Sequence, residues 1–329
     1  MPRTLHAQRD RFALARPFRI ARGVKTIADV ITVTLTEGVS VGWGEGVPYP
    51  RYGESVEGAL AAIEDIRHEI EAGADREALL SILPAGAARN AIDCALWDLE
   101  ARRSGRDVAS LLGAPSSERL ASALTIGIDT PEAMATAATR LANAPLLKIK
   151  VDASNPAARI RAVRNAAPHA ALIVDPNESW DRTLVEAMQP VLVETGVALL
   201  EQPVPADADA WLEGFAPAVP ICADESVHVA ADLATVARRY QAVNVKLDKA
   251  GGLTAALDLA RATRALGLGL MTGCMVSSSL SIAPALHVAR LSDFVDLDGP
   301  IWLSEDRPGG VRDEAGILIP PAAGFWGTP

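Results

Sequence analysis

Six ionisable side chains carry the chemical signal in this sequence. Lys148 and Lys150 lie in the apolar run LLKIKVD, Asp175 in ALIVDPNES, Glu201 in ALLEQP, Asp224 in PICADES and Lys246 in AVNVKLDK. Strand side chains alternate between faces, so Lys148 and Lys150 share one face and Ile149 takes the other. Two like charges on one face of an apolar strand are costly unless something on that face needs them. The carboxylates follow one another at separations of 26 and 23 residues (201 − 175 and 224 − 201). Oxygen-only ligands without imidazole or thiolate suit a hard cation, Mg2+ above all. The five histidines, His6, His68, His169, His228 and His287, form no ligand cluster, which disfavours zinc. One acid or lysine at a strand end usually means a simple ion pair. A carboxylate triplet between two lysine strands suits removal of a proton next to a carboxylate. A divalent metal on that carboxylate stabilises the charge left behind. A lysine serves as the base if burial or a nearby cation lowers its pKa.

The elements that must position these groups are legible as a period. Eight short apolar runs recur near residues 125, 148, 174, 200, 223, 246, 272 and 296, at spacings of 22–27 residues. Helical stretches lie between them, with N-cap or first-turn signals at Thr130-Pro131-Glu132, Asn155-Pro156 and Thr254. Apolar strands alternating with helices imply parallel pairing buried on both faces. Eight such units predict an α/β fold, a (β/α)8-type barrel over residues 116–304. An open doubly wound sheet is the alternative, and the lack of a GxGxxG after the early strands weakens it. Barrel sites sit at the C-terminal ends of the strands. Those ends offer Lys148 and Lys150, Asp175 and Asn177, Glu201, Asp224 and Glu225, Lys246 and Asp248, and Asp296 and Asp298. Lys150 and Lys246, from the second and sixth strands, would face each other across the mouth.

Residues 1–115 read as a small α+β domain. VITVTLTEGVSVGWGEG alternates on both sides of Glu37-Gly38, a hairpin signal. Ile92, Ala95, Leu96 and Leu99 fall at helical spacing, with Gly105 as a stop. The tail, about 305–329, is expected to pack back on this domain.

Composition narrows the partners. The formal charge of −10 over 329 residues argues against a nucleic-acid backbone or an anionic membrane surface as the main partner. Cys94, Cys222 and Cys274 are far apart without a CxxC, as in a reduced, cytoplasmic protein. The N-terminal stretch is too interrupted by charge for a secretory signal. Residues 265–289 carry no Asp, Glu, Lys or Arg, but their glycines, serines, Pro284 and His287 read as strand, loop and core helix rather than a membrane span.

KIK, VDPNES, LEQP, ADES and NVKLDKAGG, in that order, resemble the enolase superfamily, muconate-lactonizing subgroup. PFRIARG, PYPRYGES, LPAGAARNAIDCALWDLEARR and DLDGPIWL narrow the resemblance to dipeptide epimerases of the Ala-Glu type, from about residue 17 to 303. The resemblance implies a modified TIM barrel, (β/α)7β, under an N-terminal capping domain. It implies one Mg2+ per subunit on Asp175, Glu201 and Asp224, with Lys150 and Lys246 as acid/base catalysts on opposite faces of the bound residue. Lys148 would lower the pKa of Lys150 and touch the substrate carboxylate. Asp296 and Asp298 would receive the dipeptide's α-ammonium, and Thr125 would line the substrate. Arg22, or else Lys25, would meet the glutamate side chain. Asn177, Glu225 and Asp248 would stand behind the ligands. The implied activity is epimerisation of L-Ala-D-Glu to L-Ala-L-Glu in murein peptide breakdown, in a possible homo-oligomer.

Two departures from the pattern stand out: Pro176 between Asp175 and Asn177, and a generic TGCMVSSSLS after the seventh strand. Muconate cycloisomerisation, o-succinylbenzoate synthesis and N-acylamino acid racemisation are the alternatives within the superfamily. Their substrates lack the free ammonium that Asp296 and Asp298 would bind. A lysine Schiff-base lyase leaves the three carboxylates without a role, and a non-catalytic binding barrel leaves the opposed lysines without one.

Overall fold

The computed structural model describes residues 2–115 and 119–329. Ser116, where the barrel is expected to begin, lies outside the described residues.

The N-terminal unit opens with an antiparallel sheet, β1 (Arg3–Ile20), β2 (Gly23–Glu37) and β3 (Ser40–Gly46). The hairpin turns at Gly38, with φ of 66°, between the partners Glu37 and Ser40. β1 is not among the predicted strands, because charges such as Arg3, Arg9, Asp10 and Arg11 blur its alternation. Its register with β2 runs from Arg3–Glu37 to Ala13–Ile27, breaks, and resumes at Phe18–Lys25. The break holds Pro17, which has no N–H for the ladder. Here the arm bends onto the barrel. Ser304 N donates to Ala13 O at 2.8 Å, and the Phe18 ring meets Trp302 edge-on at 4.5 Å.

Helices α1 (Val56–Asp65), α2 (Arg67–Glu71), α3 (Arg76–Ile82), α4 (Ala87–Ser104) and α5 (Val108–Leu111) follow. α4 carries the predicted apolar face and stops at the left-handed Gly105. It lies directly on β3. A Cβ on Gly44 would stand 2.1 Å from Ala91 O, and one on Gly42 2.3 Å from Ala95 O. Alternate strand glycines thus meet every fourth helix residue, and no side chain fits between the two backbones.

Strand β4 (Leu120–Ala121) leads into the barrel. Its eight parallel strands are β5 (Leu124–Ile126), β6 (Leu146–Lys150), β7 (Ala171–Asp175), β8 (Val197–Glu201), β9 (Ile221–Ala223), β10 (Ala242–Val245), β11 (Gly269–Gly273) and β12 (Phe294–Asp296), paired in sequence order. All eight predicted runs are present. Ala123 N donates to Val295 O at 2.8 Å, bringing the two ends of the sheet together. Ala123, Leu146, Ile173, Leu199, Cys222, Ala242 and Met271 fill the interior below the mouth.

The outer layer holds α6 (Pro131–Arg140), α7 (Pro156–Ala166), α8 (Arg182–Glu194), α9 (Leu233–Val236), α10 (Leu247–Ala250), α11 (Leu253–Ala265) and α12 (Ser279–Ala289). Between β8 and β9 the described structure has only a 3₁₀ turn, Ala210–Leu212. Pro203, Pro205, Gly214, Pro217 and Pro220 preclude a longer helix there. The 265–289 segment is strand, loop and buried helix, and among the described residues no helix is long and apolar enough to cross a membrane.

The tail forms β13 (Arg312–Asp313) and β14 (Ile317–Ile319) beside β4. It then reaches the N-terminal unit, where Trp326 Nε1 donates to Trp43 O at 2.9 Å and Gly327 N to Asp98 at 2.7 Å.

Candidate active site

β6 delivers both lysines inside the mouth, and they are nearly solvent-free. Lys148 Nζ lies 2.7 Å from Asp296 Oδ2, 2.7 Å from Glu201 Oε2 and 3.1 Å from Asp175 Oδ2. Lys150, level with Asp175 on the neighbouring strand, donates to Asp175 Oδ2. Lys246, four strands round the ring, donates to Asp224 Oδ2 at 2.7 Å. The strand alternation therefore places the six groups as the sequence implied.

Carboxylates dominate the electrostatics of Lys148 and Lys246. Burial pushes the Lys148 ammonium down, but Asp296, Glu201 and Asp175 outweigh it and hold its pKa well above the ordinary lysine value. Lys246 is raised in the same way, with Asp224 overcoming burial. Glu201 moves up to about 7, through burial and then the charge of Asp175. For Lys148 and Lys246, carboxylate charge therefore outweighs burial.

Residues that the sequence reading passed over hold this geometry. Lys249, one turn past Lys246, is buried and donates to Asp224 Oδ1 at 2.6 Å and to Asn244 O at 3.0 Å. Asn244 Nδ2 donates to Glu201 Oε1 at 2.9 Å. The Gln202 side chain accepts from Asp224 N at 2.9 Å and donates to Tyr240 Oη at 3.0 Å, fixing the end of β9 where the connecting helix is missing. Gly273 leaves room for Lys246, since a Cβ there would come within 3.0 Å of Lys246 Cε. The signal available for Gln202, Asn244 and Lys249 was their place in LEQP and NVKLDK, one or two residues from a predicted group.

The substrate-side groups converge unequally. Asp296 keeps Oδ1 free of hydrogen bonds, while Asp298 Oδ2 accepts from Thr125 N at 2.8 Å and from Trp302 Nε1 at 3.3 Å. Asp298 lies beyond the strand end, yet both acids line the same cavity with Thr125. Arg22, at the tip of the β1–β2 arm, reaches Glu225 Oε1 at 2.7 Å, Glu178 Oε2 at 3.1 Å and Asn177 O at 3.1 Å. Lys25 also lines the cavity, with its Nζ over the Tyr49 ring at 4.6 Å. Asn177, at φ of 47°, donates from its backbone N to Asp175 Oδ1 at 2.9 Å and from Nδ2 to Oδ2 at 3.2 Å, so it does stand behind a ligand candidate. Glu225, pushed up to about 7 by burial and then by Asp224, stands beside that residue.

Asp248 is a correction. The strand ends at Val245 and the chain turns into α10, so period two no longer carries Asp248 to the mouth. Its Oδ1 instead accepts from Val47 N at 2.8 Å and from Asn90 Nδ2 at 2.7 Å, joining the barrel to the N-terminal unit. Burial pushes its carboxyl up to about 7 despite those hydrogen bonds. Between the unfolded carboxyl value of about 4 and this raised value, the folded state holds a proton that the unfolded chain has lost. Stability therefore falls as pH rises across that window. Asp248→Asn, whose Oδ1 still accepts both hydrogen bonds, is expected to flatten that fall. Urea midpoints at pH 5 and pH 8 check this, and an unchanged difference between them would refute it.

Among the described residues no three carboxylate, imidazole or thiolate groups already converge as a ligand cluster. The Lys148 ammonium stands between Asp175 and Glu201 instead. The donor set nonetheless fits a hard cation. Asp175, Glu201 and Asp224 are all at most 1% exposed, come from adjacent strand ends and offer only oxygen. Glu201 Oε2 also has no hydrogen bond.

Comparison with known proteins shows the family. Residues 3–113 match the mandelate racemase / muconate lactonizing enzyme N-terminal domain, and residues 132–325 the enolase C-terminal domain-like family. An L-Ala-D/L-Glu epimerase of Escherichia coli strain K12 is 48% identical over 318 residues, covering 96% of this chain and 99% of that protein. An N-acetyl-D-glutamate racemase of a Pseudoalteromonas species is 42% identical, over 91% of this chain and 95% of that protein. Two solved structures are similar. One is an enolase-family member from Agrobacterium tumefaciens with homology to dipeptide epimerases, with bound sodium and L-Ala-L-Glu. It has a TM-score of 0.96 and 47% identity, covering 99% of this chain and 100% of that one. The other is a dipeptide epimerase from Methylococcus capsulatus complexed with Mg and L-Arg-D-Lys. It has a TM-score of 0.89 and 33% identity, covering 98% of each chain. The chain therefore belongs to the mandelate racemase / muconate lactonizing enzyme family of the enolase superfamily.

Proposed function

We propose that the chain is a dipeptide epimerase that converts L-Ala-D-Glu to L-Ala-L-Glu by moving one proton at the glutamate α-carbon, in the cytoplasmic breakdown of murein peptides. The observation that carries this reading is a pair of buried lysines, Lys150 and Lys246, on opposite strands of one ring with three buried carboxylates between them. The units we assign are a capping domain over 1–115 and a catalytic barrel over 116–304. Asp175, Glu201 and Asp224 would hold Mg2+, which when bound offsets charge building up on the substrate's α-carboxylate. Lys150 and Lys246 would take the α-proton from one face and return one to the other, since two bases permit inversion. Lys148, already among carboxylates, would steady the substrate carboxylate. Asp296, Asp298 and Thr125 would take the α-ammonium end, and Arg22 the γ-carboxylate.

A second reading has a specific observation behind it. The Pseudoalteromonas relative is named for N-acetyl-D-glutamate, a substrate without a free ammonium. The acids at 296 and 298 favour a charged amine, and that preference separates the readings. Incubation with Mg2+ and L-Ala-D-Glu in D2O is expected to replace the glutamate α-proton with deuterium and to yield L-Ala-L-Glu, followed by proton NMR. Absence of both across a dipeptide panel would overturn the proposal. Turnover of N-acetyl-D-glutamate without dipeptide turnover would put the second reading in its place.

A further inference from the structure

The turn that follows Asp175 contains two successive non-glycine residues in the left-handed region, Asn177 at φ of 47° and Glu178 at 67°. Such backbone persists where the surroundings fix it, often beside functional groups. Asn177 is aimed back at Asp175, whereas Glu178 is aimed up at the capping domain. Its carboxylate is only 7% exposed and has four contacts. Arg51 grips it with two bonds, Nε to Oε2 at 2.8 Å and Nη2 to Oε1 at 2.7 Å. Ala206 N donates to Oε1 at 3.0 Å, and Arg22 Nη1 reaches Oε2 at 3.1 Å. Arg22 also holds Glu225 at 2.7 Å. Two guanidinium groups thus face two carboxylates. An incoming acidic side chain brings a third negative charge, so Arg22 must release a partner to receive it. Glu178 is the partner it can release. Glu178 has a second cation of its own in Arg51, whereas among the described residues Glu225 is paired with Arg22 alone.

We propose that Glu178 is an internal competitor for Arg22 that sets how strongly the site prefers an acidic C-terminal side chain, and that Arg51 tunes this competition by drawing Glu178 away. The proposal rests on the reading that Arg22 meets the substrate γ-carboxylate. Glu178 acts through Arg22 and is a positioning residue.

The two ends of the Glu178–Arg51 pair then have opposite effects. In Glu178→Gln the competitor loses its charge, and KM for L-Ala-D-Glu is expected to fall about five-fold. In Arg51→Met, Glu178 has only Arg22 to pair with, and the same KM is expected to rise about five-fold. The double variant should follow Glu178→Gln, because the hydrogen bonds of Arg51 go to that carboxylate. KM for a dipeptide ending in glutamine should hardly move in any of them, and kcat for L-Ala-D-Glu should stay near that of the parent. If Glu178 and Arg51 merely braced the turn, both variants would weaken both substrates together, and that result would overturn the proposal. Arg22→Met separates this failure from that of the underlying reading. If it keeps the preference for glutamate over glutamine, the role given to Arg22 is wrong and the proposal falls with it. If it loses that preference while the two single variants shift it in one direction or not at all, only the competition proposal is overturned.

Discussion

Lys150→Ala and Lys246→Ala are each expected to lower inversion of L-Ala-D-Glu by about 10³-fold or more, while each spares proton exchange in one of the two epimers. The expectation follows from their placement on opposite sides of the ring, with Asp175, Glu201 and Asp224 between them. Inversion needs a proton removed from one face and another delivered to the opposite face, so loss of either lysine stops the full reaction. The remaining lysine can still remove and return a proton on its own face. Each variant should therefore wash deuterium from D2O into one epimer without changing its configuration, and the two variants should choose opposite epimers. Collapse of the site is not expected to mimic this result. Without Lys150, Asp175 keeps Lys148 at 3.1 Å, and without Lys246, Asp224 keeps Lys249 at 2.6 Å. Mg2+ affinity, read by calorimetry, should hold or tighten, since a competing ammonium has gone. Inversion at the parent rate in either variant would remove the one-lysine-per-face assignment.

The same placements explain what was legible in the sequence. Asp175, Glu201 and Lys150 each sit at the last position of a regular strand, and Asp224 and Lys246 one residue beyond one. Alternation and strand order therefore suffice to bring them together. The failures begin where the strand ends. Asp248 was read as a strand-end group although the backbone had already turned helical, and Lys249, on that same turn, grips Asp224 alongside Lys246. Asp298 reached the cavity in spite of lying past β12. Gln202 holds Asp224 through its backbone N–H, a contact that spacing rules about side chains do not reveal. The β8–β9 connection was expected to be helical because the other spacings were, but its prolines were the stronger signal. Contacts between distant segments left the weakest trace. Arg22 was placed in the cap by resemblance, and its pairing with Glu178 and Glu225 depends on how the β1–β2 arm folds over the mouth.

The most distant of these pairings carries the largest expected effect on stability. Glu45 is fully buried at the end of β3, and Arg307, in the tail, donates to its Oε2 at 3.0 Å and to Asp10 Oδ2 at 2.9 Å. Glu45 also accepts from Ser278 N at 2.8 Å and from the Ser278 hydroxyl, the N-cap of α12. One carboxylate thus joins the capping domain, the tail and the loop whose residues Cys274, Met275 and Val276 line the cavity. Removing one partner of a buried pair strands the other charge, so Arg307→Met is expected to cost about 3 kcal/mol. That is near the lower end for buried pairs, because Arg307 is 24% exposed. Glu45→Gln should cost less, since its amide oxygen still accepts from Ser278. The double variant should be more stable than Arg307→Met alone, because the stranded, fully buried Glu45 charge is gone. The pH dependence has a defined sign. Burial already holds the Glu45 carboxyl above its ordinary value, with Arg307 as the main opposing influence. Without Arg307 the folded state binds a proton more tightly than the unfolded chain does, so stability falls as pH rises from about 4.3, the unfolded glutamate value. The defect should therefore be small near pH 5 and largest at pH 8, measured as the loss in urea midpoint. A loss that is the same at both pH values would mean that Arg307 contributes packing rather than charge.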